Sequence, residues 1–199
     1  MAKAARGEKW HERRNEIVDT AARMFAQQGY DRTGLTELCE AVGLGRGALY
    51  YYIESKENVV SLIHERVIDE VLACGRRIIA TNESPVEQIR ALGRDLIRIV
   101  TQNPDHVWVT LHEFRALTGT RAKAFRNRRR DFEDLVADIL QRGVDDGVFA
   151  IDHVRLTALG WLGLHNYVYI WYRSAGHYTP DQVSEAFSSM VLDGILKTS

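Results

Sequence analysis

The stretch that decides the fold is residues 35–52, LTELCEAVGLGRGALYYY. It contains two short helical patterns separated by glycines, and Leu38 and Val42 lie on one face of the first pattern. Gly43 is predicted to end the first helix in a left-handed conformation, and Gly45 is predicted to be the N-cap of the second. Two short helices joined by a glycine turn are typical of a helix-turn-helix motif.

The same three glycines, in the pattern Gly43-x-Gly45-x-Gly47, could instead form a loop around a nucleotide phosphate. Such a loop follows a buried strand and opens a helix of ordinary length. Here the preceding residues have a helical pattern, the following helix is barely two turns long, and no Lys-Ser/Thr pair is present. The surroundings of the glycines therefore favour the helix-turn-helix over the nucleotide loop.

The rest of the chain also has helical periodicity. Its 199 residues are 45% hydrophobic and contain only three prolines, and the apolar residues recur at spacings of three and four rather than two. We therefore predict an all-α protein of about nine helices and no strand. The predicted helices span 13–28, 35–42, 45–52, 55–80, 85–102, 104–117, 120–145, 153–176 and 180–196.

Composition restricts the cellular setting. No stretch approaches the ~20 apolar residues that a membrane span needs, and the charged N-terminus lacks the apolar core of a secretory signal. Cys39 and Cys74 have no disulfide or metal-site spacing and are predicted to be buried, reduced thiols of a cytoplasmic protein. The net charge of −1 neither indicates nor excludes a nucleic-acid partner.

Residues from Arg13 to about Val60 resemble the DNA-binding domain of the TetR family of bacterial repressors. Departures from the family pattern are Gly34 and Gly45, where Thr or Ser is commoner, and Ile53, where Phe is usual. The matching positions are Ile17, Ala21, Phe25, Gly29-Tyr30, Thr33, Leu38, Gly43-Leu44, residues 47–53 (GALYYYI) and Ser55-Lys56-Glu57.

The resemblance implies a role in binding double-stranded DNA for the second helix of the motif. Arg46 and Tyr51 would contact base edges, and the small Gly47 and Ala48 would allow close approach. The remaining side chains would hold phosphates. These phosphate contacts are Thr33, Thr36, Tyr50 and Lys56.

Residues 1–12 are predicted to be a flexible basic arm. With the start of the first helix, this segment carries five cations, which could contact DNA or remain a solvated tail. They are Lys3, Arg6, Lys9, Arg13 and Arg14. Residues 13–58 are the predicted DNA-binding domain, with the motif at about 34–53, and residues 59–199 are the predicted ligand-binding and dimerisation domain.

The last two long helices are predicted to form a homodimer. In the TetR family this pair forms a four-helix bundle with its mate, and specific DNA binding commonly uses a two-fold dimer on a palindrome. The last helix carries an apolar seam, and the helix before it combines leucines with Gly160 and Gly163. The alternative is that both helices pack only within the monomer. The seam residues are Val183, Ala186, Phe187, Met190, Val191, Gly194 and Ile195.

A small-molecule effector is the second predicted partner. The middle and penultimate helices combine apolar residues with polar groups, as ligand sites do, although such residues also occur in ordinary cores. The predicted contacts are Trp108, His112, Arg115, Asn166, Tyr167 and Trp171.

The class of effector is suggested by two features. Residues 135–149 (LVADILQRGVDDGVF), 171–183 (WYRSAGHYTPDQV) and 188–195 (SSMVLDGI) make the C-terminal half similar to regulators of fatty-acid or steroid degradation that sense acyl-CoA thioesters. Residues 121–130 contain six Lys or Arg and no acid, which either bind the ligand's phosphates or form a solvated face.

No catalytic, metal or cofactor site is predicted. The chain lacks HExxH and GxSxG motifs, and His106 and His112 do not have a helical ligand spacing. The prediction is a ligand-responsive transcriptional repressor rather than an enzyme. The alternative is a helical interaction module without specific DNA binding.

Overall fold

The computed structural model describes residues 2–196, and their side chains from residue 7 onward. Within this range every regular element is helical, apart from one isolated bridge between Phe149 and Leu196. The all-α prediction is confirmed. The elements are α1 (Ala2–Gln28), α2 (Leu35–Val42), α3 (Arg46–Tyr52), α4 (Lys56–Ile79), α5 (Pro85–Gln102), α6 (Pro104–His112), a 3-10 turn η1 (Phe114–Ala116), α7 (Gly119–Asp145), α8 (Val154–Asn166), α9 (Val168–Trp171) and α10 (Pro180–Ile195).

Helix starts agree with the sequence where a capping side chain defines them. The Ser55 hydroxyl accepts a hydrogen bond from the Asn58 amide at 3.0 Å, which opens α4. The Asn58 side chain in turn accepts from the amide of Glu54, the residue before this cap, at 3.2 Å. Thr179 opens α10 in the same way, by accepting from the Gln182 amide.

The prediction of a flexible arm over residues 1–12 is wrong for the described part, because α1 begins at Ala2 instead of Arg13. Residues 2–12 are rich in Ala, Lys, Arg and Glu, which have high helix propensity. The Trp10 ring also stacks on Tyr52 at 5.9 Å between centroids, which anchors this extension.

The predicted helix 153–176 is wrong at its C-terminal end. Its N-cap is His153, and α8 ends at Asn166 before the single turn of α9. The segment NYVYIWY is aromatic and β-branched, and these residues have lower helix propensity than the leucines before them. The predicted helix 104–117 also stops early, at His112.

The chain forms two compact units whose boundaries differ from the predicted domains. The first unit contains the chain up to Val67 together with Asp105–Phe125, and the second contains Ile68–Pro104 together with the chain from Arg126. Residues 105–125 thus lie in the same compact unit as the helix-turn-helix. Polar contacts within this unit are described below.

The first unit is built around the apolar stripe of α1. Ile17, Ala21 and Phe25 are completely buried, as their spacing predicts. Leu38 of α2 and Leu49 of α3 complete this core. Burial of each large apolar side chain contributes roughly 1.5–3 kcal/mol, so the core fixes how α2 and α3 are presented.

The second unit is built around α5, which packs against α8, α9 and α10. Gly93 allows the close approach of α8, since a Cβ at this position would lie 2.9 Å from His165 Nε2. At the end of α7, a Cβ on Gly143 would lie 2.0 Å from the Phe149 ring. Both glycines are therefore required by packing.

Candidate nucleic-acid interface

The corner between α2 and α3 has the predicted geometry. Gly43 has φ 64° and ψ 36°, a left-handed conformation that few residues other than glycine adopt readily. The Leu44 amide donates to the Cys39 carbonyl at 2.9 Å, which satisfies the end of α2. Gly45 is the N-cap of α3 and provides no side-chain hydrogen bond.

The two faces of α3 are chemically distinct. Leu49 is completely buried on the inner face. Arg46 is exposed on the outer face, together with Tyr50 and Tyr51, which are 44% and 70% exposed. Tyr52, by contrast, is half-buried. We call the outer face the α3 surface, which consists of Arg46, Gly47, Ala48, Tyr50 and Tyr51.

Thr33 does not lie on this outer face. It is 1% exposed, and its hydroxyl donates to the Gly29 carbonyl at 2.9 Å, at the end of α1. The prediction of a phosphate contact for Thr33 is therefore wrong, because its donor is used inside the protein. Thr36, in the first turn of α2, is exposed and retains that predicted role.

Lys56 lies in the first turn of α4 and is half-buried. Its ammonium lies 4.0 Å from the centroid of the Tyr30 ring, a cation–π contact. Burial lowers the pKa of Lys56, and the negative charges of Asp31 and Glu113 oppose that shift. The contact fixes the Lys56 side chain near the start of α4, where a helix provides free N–H groups for an anion.

Two of the five basic residues predicted for the N-terminal arm bind protein groups instead. The Arg13 guanidinium donates to the Val42 carbonyl and to the Glu16 carboxylate. The Arg14 guanidinium lies 5.2 Å from the centroid of the Trp10 ring. Lys9 is exposed, and the side chains of Lys3 and Arg6 lie outside the described residues.

Residues 105–125 are joined to α1, to the segment after it and to the start of α4 by polar contacts that the sequence does not predict. The His106 ring lies 3.0 Å from the Asp19 carboxylate, and the Glu113 carboxylate accepts from the Tyr30 amide at 3.0 Å. Thr118 donates to Glu57 through its amide at 2.8 Å. The Tyr30 and Glu113 partners are 83 positions apart in the chain, so no local pattern could have indicated them.

Each unit contains a completely buried histidine with a strongly lowered pKa. His64 is 1% exposed and packs on Phe125 at 4.3 Å, and burial lowers its pKa to about 4. His165 is completely buried against Trp161, and burial lowers its pKa to about 4 as well. A weak opposing effect comes from the Trp161 carbonyl, 2.8 Å from His165 Nδ1.

The predicted effector contacts are divided between the two units. In the first unit the rings of Trp108 and His112 stack at 4.7 Å, and Arg115 is exposed. In the second unit the predicted contacts lie at the end of α8 and in α9. Of these, Asn166 is half-buried, and Tyr167 and Trp171 are 58% and 40% exposed.

The basic run is partly neutralised by acidic side chains. Arg121 lies 2.7 Å from Glu54, and Arg129 lies 3.0 Å from Glu133. Arg128 pairs with Asp69. In the described part of the chain, three exposed cations of this run have no ion pair, and only these retain the predicted option of binding a ligand's phosphates. They are Lys123, Arg126 and Arg130.

The second unit exposes an apolar surface on α8 and α10. Leu156 and Leu159 are 66% and 44% exposed on α8, and Met190 is 58% exposed on α10. Val183, by contrast, is buried within the monomer, so the predicted seam of α10 is only partly on the surface. We call this exposed set the α8/α10 surface, which consists of Leu156, Leu159, Gly160, Gly163, Ala186, Met190 and Gly194.

Metal sites, membrane-spanning helices and the two cysteines complete the description of possible sites. The described residues contain no group of three or more His, Cys, Asp or Glu side chains that could hold a metal ion. Among the helices of residues 2–196, none is long and apolar enough to cross a membrane. Cys39 and Cys74 are both buried free thiols, as predicted.

Two family models match the chain over most of its length. Residues 17–63 match the model for "Bacterial regulatory proteins, tetR family", and residues 82–195 match the model for "Tetracyclin repressor-like, C-terminal domain". Among curated proteins, the HTH-type transcriptional repressor KstR2 of Rhodococcus jostii is 29% identical over 185 residues, which cover 92% of this chain and 91% of that protein.

Solved structures of transcriptional regulators superpose on the chain over most of its length. The ketosteroid transcriptional regulator KstR2 of Mycobacterium tuberculosis superposes with a TM-score of 0.87 at 26% identity, covering 94% of this chain and 96% of that one. AibR, in a complex with isovaleryl coenzyme A and operator DNA, superposes with a TM-score of 0.79 at 27% identity, covering 89% and 97%.

The chain therefore belongs to the TetR family. It is a DNA-binding transcriptional regulator of the helix-turn-helix class. The family match confirms the prediction of a regulator rather than an enzyme. It also removes the alternative of an interaction module without DNA binding.

Proposed function

We propose that the chain is a homodimeric repressor that binds a palindromic operator through α3 and is released from it by a small-molecule effector. The observation that carries this proposal is the polarity of α3. Leu49 is buried in the core, whereas Arg46 and Tyr51 extend from the opposite face into solvent. A short helix with a guanidinium, two phenols and small residues on its free face suits the major groove.

The side chains of the α3 surface, together with Thr36 and Lys56, would have separate roles in DNA recognition. Arg46 and Tyr51 would contact base edges, and Gly47 and Ala48 would let the helix approach the groove floor. Tyr50, Thr36 and Lys56 would contact phosphates and fix the register of the helix. Arg13 and Arg14 are left out of this proposal, because both bind protein groups.

The dimer would form through the α8/α10 surface. Leu156 and Met190 expose large apolar side chains there, and a Cβ placed on Gly160, Gly163 or Gly194 would meet nothing within 4 Å. Small residues beside large apolar ones let helices of two chains approach closely. A two-fold dimer would present two α3 helices to half-sites about one helical turn of DNA apart.

The effector would be an acyl-CoA thioester. The support is the likeness of the C-terminal half to acyl-CoA-sensing regulators and the superposition on AibR, whose structure contains isovaleryl coenzyme A. A ligand of this class has an apolar acyl chain and several phosphates. Within the second unit, Tyr167 and Trp171 suit the acyl chain, and the exposed Arg126 and Arg130 suit the phosphates.

Effector binding would act through α4. This helix begins at Lys56 and contributes to both compact units. An acyl-CoA would lower DNA affinity only to the extent that it binds the DNA-incompetent arrangement more tightly. The site of action would be the cytoplasm, where both DNA and acyl-CoA occur.

DNA binding is tested by selecting duplexes from a random pool with the purified protein. We expect a palindrome whose half-sites are about 10 base pairs apart. Fluorescence anisotropy with the selected duplex and a scrambled duplex then measures specificity. A selection that yields no consensus would contradict the proposal.

The effector is tested by isothermal titration with short-, medium- and long-chain acyl-CoA thioesters, with free coenzyme A as the control. We expect one class to bind and to release the selected duplex. Replacing Arg126 and Arg130 together with Ala should weaken thioester binding, whereas Arg129→Ala should not, because Arg129 is already paired with Glu133. Absence of both heat and release for every thioester would refute this effector class.

A further inference from the structure

Three aromatic rings join the first turns of α1 to the end of α3. The Trp10 ring stacks on Tyr52 with centroids 5.9 Å apart and planes 28° apart. It also meets Tyr51 edge to face at 6.5 Å. Tyr51 and Tyr52 contact each other edge to face at 5.2 Å, so the three rings form a closed cluster.

Tyr51 is held in place mainly by this cluster. Its side chain is 70% exposed, and its described ring contacts are with Trp10 and Tyr52. An edge-to-face contact contributes about 0.5–1.5 kcal/mol beyond burial. Without Trp10 the Tyr51 ring would keep only one such contact and would sample more rotamers. Ordering it on DNA would then reduce the binding free energy.

The turn that carries Trp10 is itself fixed to the helix-turn-helix. Arg13, three residues later, donates to the carbonyl of Val42, the last residue of α2. Arg14, four residues later, places its guanidinium over the Trp10 ring at 5.2 Å. Residues at these spacings lie on one side of a helix. This side of α1 therefore contacts the end of α2 and the end of α3.

We propose that Trp10 is a positioning residue for DNA recognition, which orients Tyr51 before DNA is bound. The inference rests on the proposed function, because it takes Tyr51 as a base contact. Trp10 itself would not touch DNA. It would raise specificity by removing the cost of ordering Tyr51 in the complex.

The experiment is a double-mutant cycle measured by anisotropy on the selected duplex and on a scrambled duplex. We expect Trp10→Ala to lower the ratio of the two affinities about tenfold, as loss of ring contacts predicts, and to leave affinity for scrambled DNA unchanged. Trp10→Phe should restore most of the ratio. Adding Trp10→Ala to Tyr51→Ala should cause no further loss, because Trp10 acts through Tyr51.

Asn15→Ala is the matched control, since Asn15 is an exposed residue of the same helix outside the ring cluster. Thermal unfolding of every variant verifies that it is folded. If Trp10→Ala does not fold, Trp10→Leu replaces it, because Leu keeps apolar contact without a ring, and a ratio as high as that of Trp10→Phe would overturn the inference.

Other outcomes separate the inference from the function on which it rests. Equal losses on both duplexes, or full additivity in the cycle, would show that Trp10 only stabilises the fold. An unchanged ratio in Trp10→Ala alone would overturn the positioning role and leave the DNA-reading role of Tyr51 intact. An unchanged ratio in Tyr51→Ala would overturn both.

Discussion

The α3 surface and the α8/α10 surface are both exposed, but they differ in the polar atoms they carry. Each large side chain of the α3 surface ends in a guanidinium or a hydroxyl group. The large side chains of the α8/α10 surface are Leu156, Leu159 and Met190, which have no hydrogen-bond donor. Interfaces with DNA are polar and hydrated, whereas the centre of a homodimer interface is apolar. The difference indicates a separate partner for each surface.

The largest expected effect comes from placing a charge on the apolar surface. Leu159→Glu should prevent dimerisation, because the carboxylate would be buried at an apolar interface without a partner. A monomer reaches only one half-site, so affinity for the selected duplex should fall toward the non-specific level, a loss of roughly 4 kcal/mol or more. Analytical ultracentrifugation and anisotropy measure the two effects.

Ala124→Glu is the control for that change, since Ala124 is exposed on α7 outside the α8/α10 surface. It should remain dimeric and bind the selected duplex normally. A Leu159→Glu protein that stays dimeric would contradict the assignment of this surface, even if DNA binding were reduced.

The corresponding change on the polar surface is Arg46→Ala. If Arg46 makes a bidentate contact with guanine, its loss should cost about 1–3 kcal/mol per half-site and relax sequence preference at that base. Arg46→Lys keeps the charge without the planar fork, so it should lose specificity but retain affinity for scrambled DNA. A fall of equal size on both duplexes in Arg46→Ala would assign Arg46 to a phosphate instead.

The two surfaces were not equally predictable from sequence. The α2/α3 corner depends on local rules, namely a left-handed glycine and the spacing of Leu38 and Val42, and the structure confirms both. The α8/α10 surface was predicted only in part, because the spacing of an apolar stripe does not reveal which members pack inside the monomer. Val183 is buried and Met190 is exposed, although both belong to the same predicted seam.

Contacts between distant segments are what sequence patterns do not predict. Residues 105–125 contact Asp19, Tyr30 and Glu57, which lie far away in the chain. Thr33 was assigned to DNA because its position matches the family, and only the structure shows its hydroxyl bound to Gly29. The periodicity of apolar residues predicts which face of a helix is buried, but not which segment of the chain packs against that face.

Each of the two units contains a buried histidine with a lowered pKa, and this gives a prediction about the pH dependence of stability. His64 and His165 have folded pKa values of about 4, below the unfolded value of 6.5. Between these values the unfolded chain binds protons that the folded chain excludes. Stability is therefore complete above pH 6.5 and falls as the pH decreases toward 4, by roughly 2 kcal/mol per histidine at pH 5. Urea unfolding at pH 7, 6 and 5 measures this loss.

His64→Phe isolates the contribution of the first unit. A phenyl ring keeps the contact with Phe125 and removes the titrating group, so the share of the pH-dependent loss that comes from His64 should disappear. His177→Asn is the control, because His177 is exposed and should not change the pH dependence. A pH profile that His64→Phe leaves unaltered would place the titrating groups elsewhere.

The smallest expected effects come from a glycine on each surface. Gly47 and Gly160 are helical and exposed, and a Cβ on either would meet nothing within 4 Å. Replacement by Ala should therefore stabilise the isolated chain by about 0.5–1 kcal/mol. Each change should weaken a different association: Gly47→Ala should weaken DNA binding without affecting the dimer, and Gly160→Ala should weaken the dimer.

Gly43→Ala provides the contrast. Its surroundings are equally open, but its φ of 64° should make the same methyl group destabilising by about 1–2 kcal/mol. Thermal unfolding with anisotropy and ultracentrifugation separates the three cases. If Gly47→Ala and Gly160→Ala change the same equilibrium, the two surfaces do not have separate partners.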